Sequence, residues 1–397
     1  MQRRHDIDAL RALAFGLLIL YHLAMLYVTD WGWHLKSSYL SEALQMPMLM
    51  LNRWRMDLIF LISGISTGFL MQHRRVAHFL SERTWRLMLP LVFGMLVVVP
   101  IQPYAQGVVN GLVEPGFMQF LARYYTGYAW PMKAFDGWDY GFTWNHLWYL
   151  AYLWCYTLVL ALLLPLLNSK AGQRLRQAFT SLRGLPLLLL PALPLFAYTV
   201  SLQARFPDTH DLVHDWYVHP VYFTMFLYGW CFATCDAVWV ELAALRKLAL
   251  GLALAFGAMY FALVRFYWGV DEVSTTAQWL IWAVRNVYVW SMLCAILGWG
   301  LAFLNRPLRW LPWATQAVYP WYVLHQSLIV LLAYWLVPLK TGPITEPLLV
   351  GVGTVLGCWM LTSGLIQRVG WVRPLFGLKG KGKLCAGLEQ PTAGLKM

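Results

Sequence analysis

The sequence predicts an all-α fold: a polytopic transmembrane helical bundle of about ten spans with both termini cytoplasmic. Three observations carry that expectation. Of the 397 residues, 60% are hydrophobic and only 12% charged, against roughly 25% charged in ordinary soluble domains. Apolar stretches near the ~20 residues that cross a hydrocarbon core recur along the whole length. The Lys and Arg between them fall unevenly on the two sides.

The first stretch, 8–28, is followed by no small-residue cleavage site and runs directly into the polar residues Thr29 to Lys36, so it is expected to stay as a span. Spans at 56–72 and 87–104 bracket the basic inner segment HRRVAHFLSERTWRLMLP. The two long outer loops are expected at 29–55 and 105–145. A span at 146–167 opens on NHLWYL, and further spans are expected at 185–202, 217–235 and 248–267. The stretch 277–304 holds Arg285 and Asn286, 314–338 holds His325, and 347–367 is the last. No repeat divides residues 1–370, which form one transmembrane domain. The segment 371–397, rich in Gly and Lys without apolar periodicity, is expected to be a disordered cytoplasmic tail.

A cytoplasmic amino terminus puts twenty Lys and Arg on the inner side, from Arg3, Arg4, Arg74 and Arg75 through Lys381, Lys383 and Lys396, and eight outside, among them Arg53, Arg55 and Lys133. Arg11 and Arg285 complete the thirty and are the two cations expected within spans. The bias follows the positive-inside rule. Topology and anionic lipid account for the net charge of +12, and nucleic acid is not required. Five cysteines fall in spans and Cys385 in the tail, so no outer disulfide is expected. Cys231 and Cys235 are one turn apart, but with no His or carboxylate partners nearby they read as packing residues and no metal is expected.

Arg11 and His22 are the most informative pair. At about 100° and 1.5 Å per residue, eleven steps return to within roughly 20° of the same direction, about 16 Å along the axis. A cation and an imidazole thus share one helical face at membrane depth, where an ionisable group normally faces a protein interior or a water-filled path. His22 is the candidate base, since imidazole titrates nearest neutral pH and can take a hydroxyl proton. Asp8, one turn before Arg11, can pair with it.

Arg83 and Arg86, three residues apart on one helical side, suit an anionic cofactor such as the phosphates of coenzyme A; positive-inside charge alone would also place them there. His146, beside Asn145 and Trp148, reads either as an outer-mouth site or as an interfacial histidine. His325 either faces the cavity of His22 or pairs with a neighbouring span. Arg285 is either structural or receives a carboxylate of the acyl donor. The aromatic loop 105–145, with Asp136 and Asp139, reads as a headgroup belt or as a sugar-stacking surface.

These residues together resemble the acyltransferase 3 family of integral-membrane carbohydrate O-acyltransferases, whose first span carries an Arg, ten residues and a His. Asp57, Phe60, Ser63 and Gly64 in DLIFLISG resemble its second-span motif, with Ile59 where the family usually has a second Phe. Arg83-x-x-Arg86 with Pro90 resembles its basic motif, and His325 in YPWYVLH the third. The segments YHLAMLYVTDWGWHLKSS, RWRMDLIFLISG and NHLWYL are most similar to the glucan-modifying branch, the glucans biosynthesis protein C type, which succinylates periplasmic glucans.

The resemblance implies acyl-CoA, as acetyl-CoA or succinyl-CoA, entering from the cytoplasm as a cosubstrate, and transfer to a hydroxyl of an extracytoplasmic carbohydrate acceptor across a bacterial inner membrane. His22 and Arg11 would be catalytic. Arg83 and Arg86 would bind the donor. His146, Trp148, His325, Arg285, His34 and Asp57 are weaker substrate-binding candidates. No Ser or Cys elbow argues for an acyl-enzyme. The competing class is a non-enzymatic transporter or flippase of a glycan or lipid-linked intermediate, which also needs a polar path; such folds often carry repeats or matching broken spans. A lipid or protein acyltransferase using a lone buried His is a third reading, and it leaves the Arg11 spacing unexplained.

Overall fold

In a computed structural model the chain is described over residues 4–72 and 74–380. Arg3, Lys381, Lys383, Cys385 and Lys396, which enter the charge and cysteine counts, lie outside the described residues. The apolar stretches fold as helices, because in a bilayer each backbone N–H and C=O has to be satisfied within its own segment or in a closed barrel. Among the described residues there is no strand, only an isolated bridge between Val28 and Ser41.

The helices are α1 (His5–Met25), α2 (Gln45–Met71), α3 (Val76–Phe93), α4 (Ile101–Val109), α5 (Phe117–Tyr125), α6 (Trp148–Leu167), α7 (Lys170–Thr180), α8 (Gly184–Leu189), α9 (Ala192–Leu202) and α10 (Val218–Phe232). They continue with α11 (Asp236–Phe266), α12 (Thr275–Leu304), α13 (Leu311–Leu336), α14 (Thr345–Met360) and α15 (Val372–Leu375). Among the described residues, nine segments are long and apolar enough to cross a membrane, which makes this a multi-pass helical membrane protein. The tenth expected span, 217–235, is α10. Its 15 residues give about 22 Å of helix, short of the ~30 Å hydrocarbon core.

Three expectations are corrected. The loop expected at 29–55 is irregular only in its first part, because α2 already begins at Gln45 and carries Arg53 and Arg55 as helical residues. Arg11 and Arg285 are therefore not the only cations within spans. The 105–145 region is no open loop: a π-helical turn at Gly94–Val98 leads α3 into α4, and α5 packs Phe120 and Tyr124 with Trp130 and Phe135 in a small core. These four rings are the inside of a folded cap, whereas Tyr125, Tyr128, Tyr140 and Phe142 of the same stretch stay exposed. Finally, residues 371–380, expected within a disordered tail, include α15, whose Val372 and the following Phe376 are buried. Phe376 packs edge-on against Phe93 of α3 at 5.3 Å.

Close crossings hold the bundle. A Cβ on Gly64 of α2 would lie 1.9 Å from the Phe226 carbonyl oxygen of α10, and one on Gly229 of α10 would lie 2.0 Å from that of Leu61. Small residues let membrane helices approach until their backbones touch, since lipid supplies no hydrophobic drive between them. Lys36 folds back over the C-terminal end of α1, donating to Met25 O at 2.8 Å and also to Val28 O, where a cation complements the helix dipole.

Candidate active site

The face of α1 predicted from spacing is real, and it borders two cavities. At the end of the bundle where α1 begins, a vestibule of about 370 Å³ is lined by Arg4, Asp8, Arg11, Ser66, Arg83 and Arg86. Toward the other end lies a chamber of about 1700 Å³ that contains His22. Arg11 sits below and His22 above on one helix.

In the vestibule Arg11 is 3.8 Å from Asp8 and donates to Ser66 Oγ on α2. Arg83 and Arg86, expected as neighbours on one helical side of the inner segment, belong to α3. Glu82 between them and Arg74 is taken by Arg74 and, at 3.8 Å, by Lys379. Arg83 is half-buried, and its Nε is buried with no hydrogen-bond partner among the described residues. A buried donor without a partner is costly. An anion placed there would remove the cost, so the donor set fits a phosphate or pyrophosphate.

Three histidines from three helical segments meet beside the chamber: His22 and His146 line it, and His325 stands behind them. His325 is fully buried on α13; its Nδ1 lies 2.9 Å from Trp321 O and 2.8 Å from Tyr322 O. Both are acceptors, so in the neutral ring Nδ1 carries the proton and Nε2 the lone pair. That Nε2 is 2.8 Å from His22 Nδ1, with the rings stacked at 5.1 Å. His22 therefore donates from Nδ1 and keeps its own lone pair on Nε2, which has no protein partner among the described residues.

His146 differs. Its Nε2 donates to Tyr322 O at 3.0 Å and its Nδ1 faces Gln102 Nε2 at 3.4 Å, so both nitrogens are engaged. His34 is engaged likewise, Nδ1 to Gln106 Oε1 and Nε2 to Gln326 Nε2, each at 2.9 Å. Of the two alternatives open for His325, the one realised is pairing, and its partner is His22 itself. Only His22 of these four offers a free basic nitrogen in the chamber.

Asp57 and Arg285 also line the chamber, and both are buried. Asp57 Oδ1 has no hydrogen-bond partner among the described residues. Arg285 Nη2 reaches Gln203 Oε1 at 2.9 Å, Tyr217 Oη at 3.0 Å and Thr199 Oγ1 at 3.1 Å. These neutral groups hold the guanidinium in place, and among the described residues no carboxylate is in contact with it. Trp148 lines the wall with its ring 4.2 Å from that of His210. At the mouth stand Trp138, Trp144, Asp136 and Asp139 from the cap, and Asp208 from the connection between α9 and α10.

Sequence reasoning missed Arg53 and Arg55, both on the chamber wall, with the Arg55 guanidinium 3.6 Å above the Tyr21 ring. It also missed the amides Gln102, Gln106 and Gln326. Gln102 donates to Ser327 Oγ at 2.7 Å and accepts from Asn145 at 2.9 Å and Gln326 at 3.0 Å, tying α4, α13 and the start of α6 together. A signal was present: Gln102 and Gln106 are four residues apart, hence on one face, in an apolar stretch where unpaired amides are expensive.

The profile of the acyltransferase 3 family, described as an acyltransferase domain, matches residues 4–363. No curated protein and no solved structure matches the chain.

Proposed function

Since this chain belongs to the acyltransferase 3 family and is a multi-pass membrane acyltransferase, we propose that it moves an acetyl or succinyl group from cytoplasmic acyl-CoA to a hydroxyl of an extracytoplasmic glycan. The observation that carries this reading is the pair of cavities on one face of α1, a guanidinium-lined vestibule on one side and a free imidazole nitrogen in a chamber on the other. Arg11, Arg83 and Arg86 hold the donor phosphates. The chamber exceeds the roughly 300–1,000 Å³ of ordinary small-molecule pockets, which suits a saccharide chain better than a single sugar. Trp148 and the rings at the mouth offer stacking faces, and Asp136, Asp139 and Asp208 accept from sugar hydroxyls.

His22 Nε2 takes the acceptor's hydroxyl proton as that oxygen attacks the thioester carbonyl carbon. The carbon–sulfur bond then breaks, and the departing thiolate receives the proton from His22. Among the described residues no Ser, Thr or Cys side chain is hydrogen bonded to His22, which supports direct transfer. Arg285 would accept the free carboxylate of a succinyl donor, as in the glucan-modifying branch. The charge bias supports a cytoplasmic amino terminus in a bacterial inner membrane.

Mass spectrometry of periplasmic and envelope glycans from cells with and without the gene tests the proposal. Loss of an acetyl or succinyl mass from a glycan whose amount is unchanged is the expected result. Loss of the glycan itself, with acylation of the remainder intact, would instead favour a transporter or flippase.

A further inference from the structure

The vestibule and the chamber share one wall. Among the described residues, three border both cavities: Phe15, Tyr149 and Tyr322, from α1, α6 and α13. Their rings close on one another: centroids lie 5.2 Å apart for Phe15 and Tyr322, 6.2 Å for Phe15 and Tyr149, and 6.0 Å for Tyr149 and Tyr322, all edge to face. Phe15 lies four residues above Arg11 and seven below His22, on the face those two share. By helix rise, His22 is about 10 Å beyond this wall. A thioester held by the vestibule guanidiniums has to pass it.

The three rings are not held alike. Tyr149 Oη is 2.5 Å from Ser63 Oγ on α2, and Tyr322 Oη donates to the His146 carbonyl. Both hydroxyls pin their rings to neighbouring segments. Phe15 has no polar anchor, and its ring has cavity on both sides into which to turn.

We propose that these rings form a septum between donor and acceptor compartments, with Phe15 as the movable leaf, and that an acyl group reaches His22 only when that leaf swings aside. The donor part of this statement rests on the proposed function above. The closed leaf keeps a waiting thioester from His22 and chamber water, and so from the wasteful reaction in which water adds to the acyl carbon and releases the free acid and the CoA thiol. Exclusion of water from a reactive intermediate is a general use of closing elements.

The test reads passage itself. Ser66→Cys puts a thiol in the vestibule, and a membrane-impermeant thiol reagent is presented from either face, in right-side-out and inverted vesicles. Phe15→Ala without the added cysteine supplies the background from native thiols. With Phe15 present, labelling is expected from one face only; with Phe15→Ala it is expected from both, the new face gaining about tenfold or more. Labelling from both faces with Phe15 intact overturns the septum, as does one-sided labelling in a Phe15→Ala protein of unchanged thermal stability. Should Phe15→Ala not insert, Tyr322→Phe keeps the ring but releases it from the His146 carbonyl. A gain from the protected face is then expected, and none overturns the proposal. This labelling involves neither acyl-CoA nor glycan. If wild-type protein fails to bind a non-hydrolysable CoA analogue, the donor reading falls while the septum result stands. If it binds, Phe15→Ala should hydrolyse acyl-CoA without acceptor about tenfold faster than wild type.

Discussion

Replacing His325 by Leu removes the acceptor that holds the proton on His22 Nδ1, a contact of 2.8 Å between two helices. Freed from it, His22 can carry its proton on Nε2 instead, and the nitrogen facing the chamber is then no base. A buried donor left without its partner costs about 1–3 kcal/mol. At about 1.4 kcal/mol per factor of ten this amounts to a loss of roughly 5- to 150-fold in turnover. His325 is fully buried and borders neither cavity, so the loss should appear in kcat and leave the KM for acyl-CoA unchanged. His325→Gln retains a side-chain carbonyl that can accept from His22 and should recover part of it. The assay is release of the CoA thiol, read with a thiol-reactive dye, when an envelope-glycan extract is added to purified protein. Turnover within about twofold of wild type in His325→Leu, at matched thermal stability, would refute the tautomer argument, because that range lies below the smallest loss computed from the hydrogen bond.

His22→Gln should insert, fold and bind acyl-CoA while losing at least ~100-fold in turnover, the lower end of what a positioned base contributes; transfer within a few-fold of wild type would move the base elsewhere. Arg83→Ala and Arg86→Ala should each raise the KM for acyl-CoA more than that for acceptor, with Lys a poor substitute because it lacks the guanidinium fork; wild-type donor kinetics in the double variant would leave both as topology signals. Arg285→Gln should discriminate against succinyl-CoA far more than against acetyl-CoA, and equal losses on both donors would return Arg285 to holding Thr199, Gln203 and Tyr217 in place.

Much of the site was legible because a helix writes its faces into local spacing. Arg11 and His22 share a stripe whatever surrounds them, and the interval in the chain states it. The same holds for Arg83 and Arg86 on α3. Legibility stopped where a helix extends beyond its apolar stretch. Arg53 and Arg55 precede the hydrophobic run of α2 and read as loop, yet the helix starts at Gln45 and carries both into the chamber wall. Likewise Phe120, Tyr124, Trp130 and Phe135 read as surface, since composition does not say that they close on one another in a small core.

By itself, then, the sequence determined the solvent and the secondary structure: too few charges for water, repeated stretches of spanning length, a cation and an imidazole on one stripe. Only the tertiary structure decided which histidine is free. His22, His34, His146 and His325 are equivalent as residue types, and their roles separate through partners 72, 176 and 303 residues away in the chain. Such pairings are set by how helices pack, where ridge meets groove and glycine meets carbonyl. Periodicity reports which face of a helix is polar, but not which other helix that face will meet.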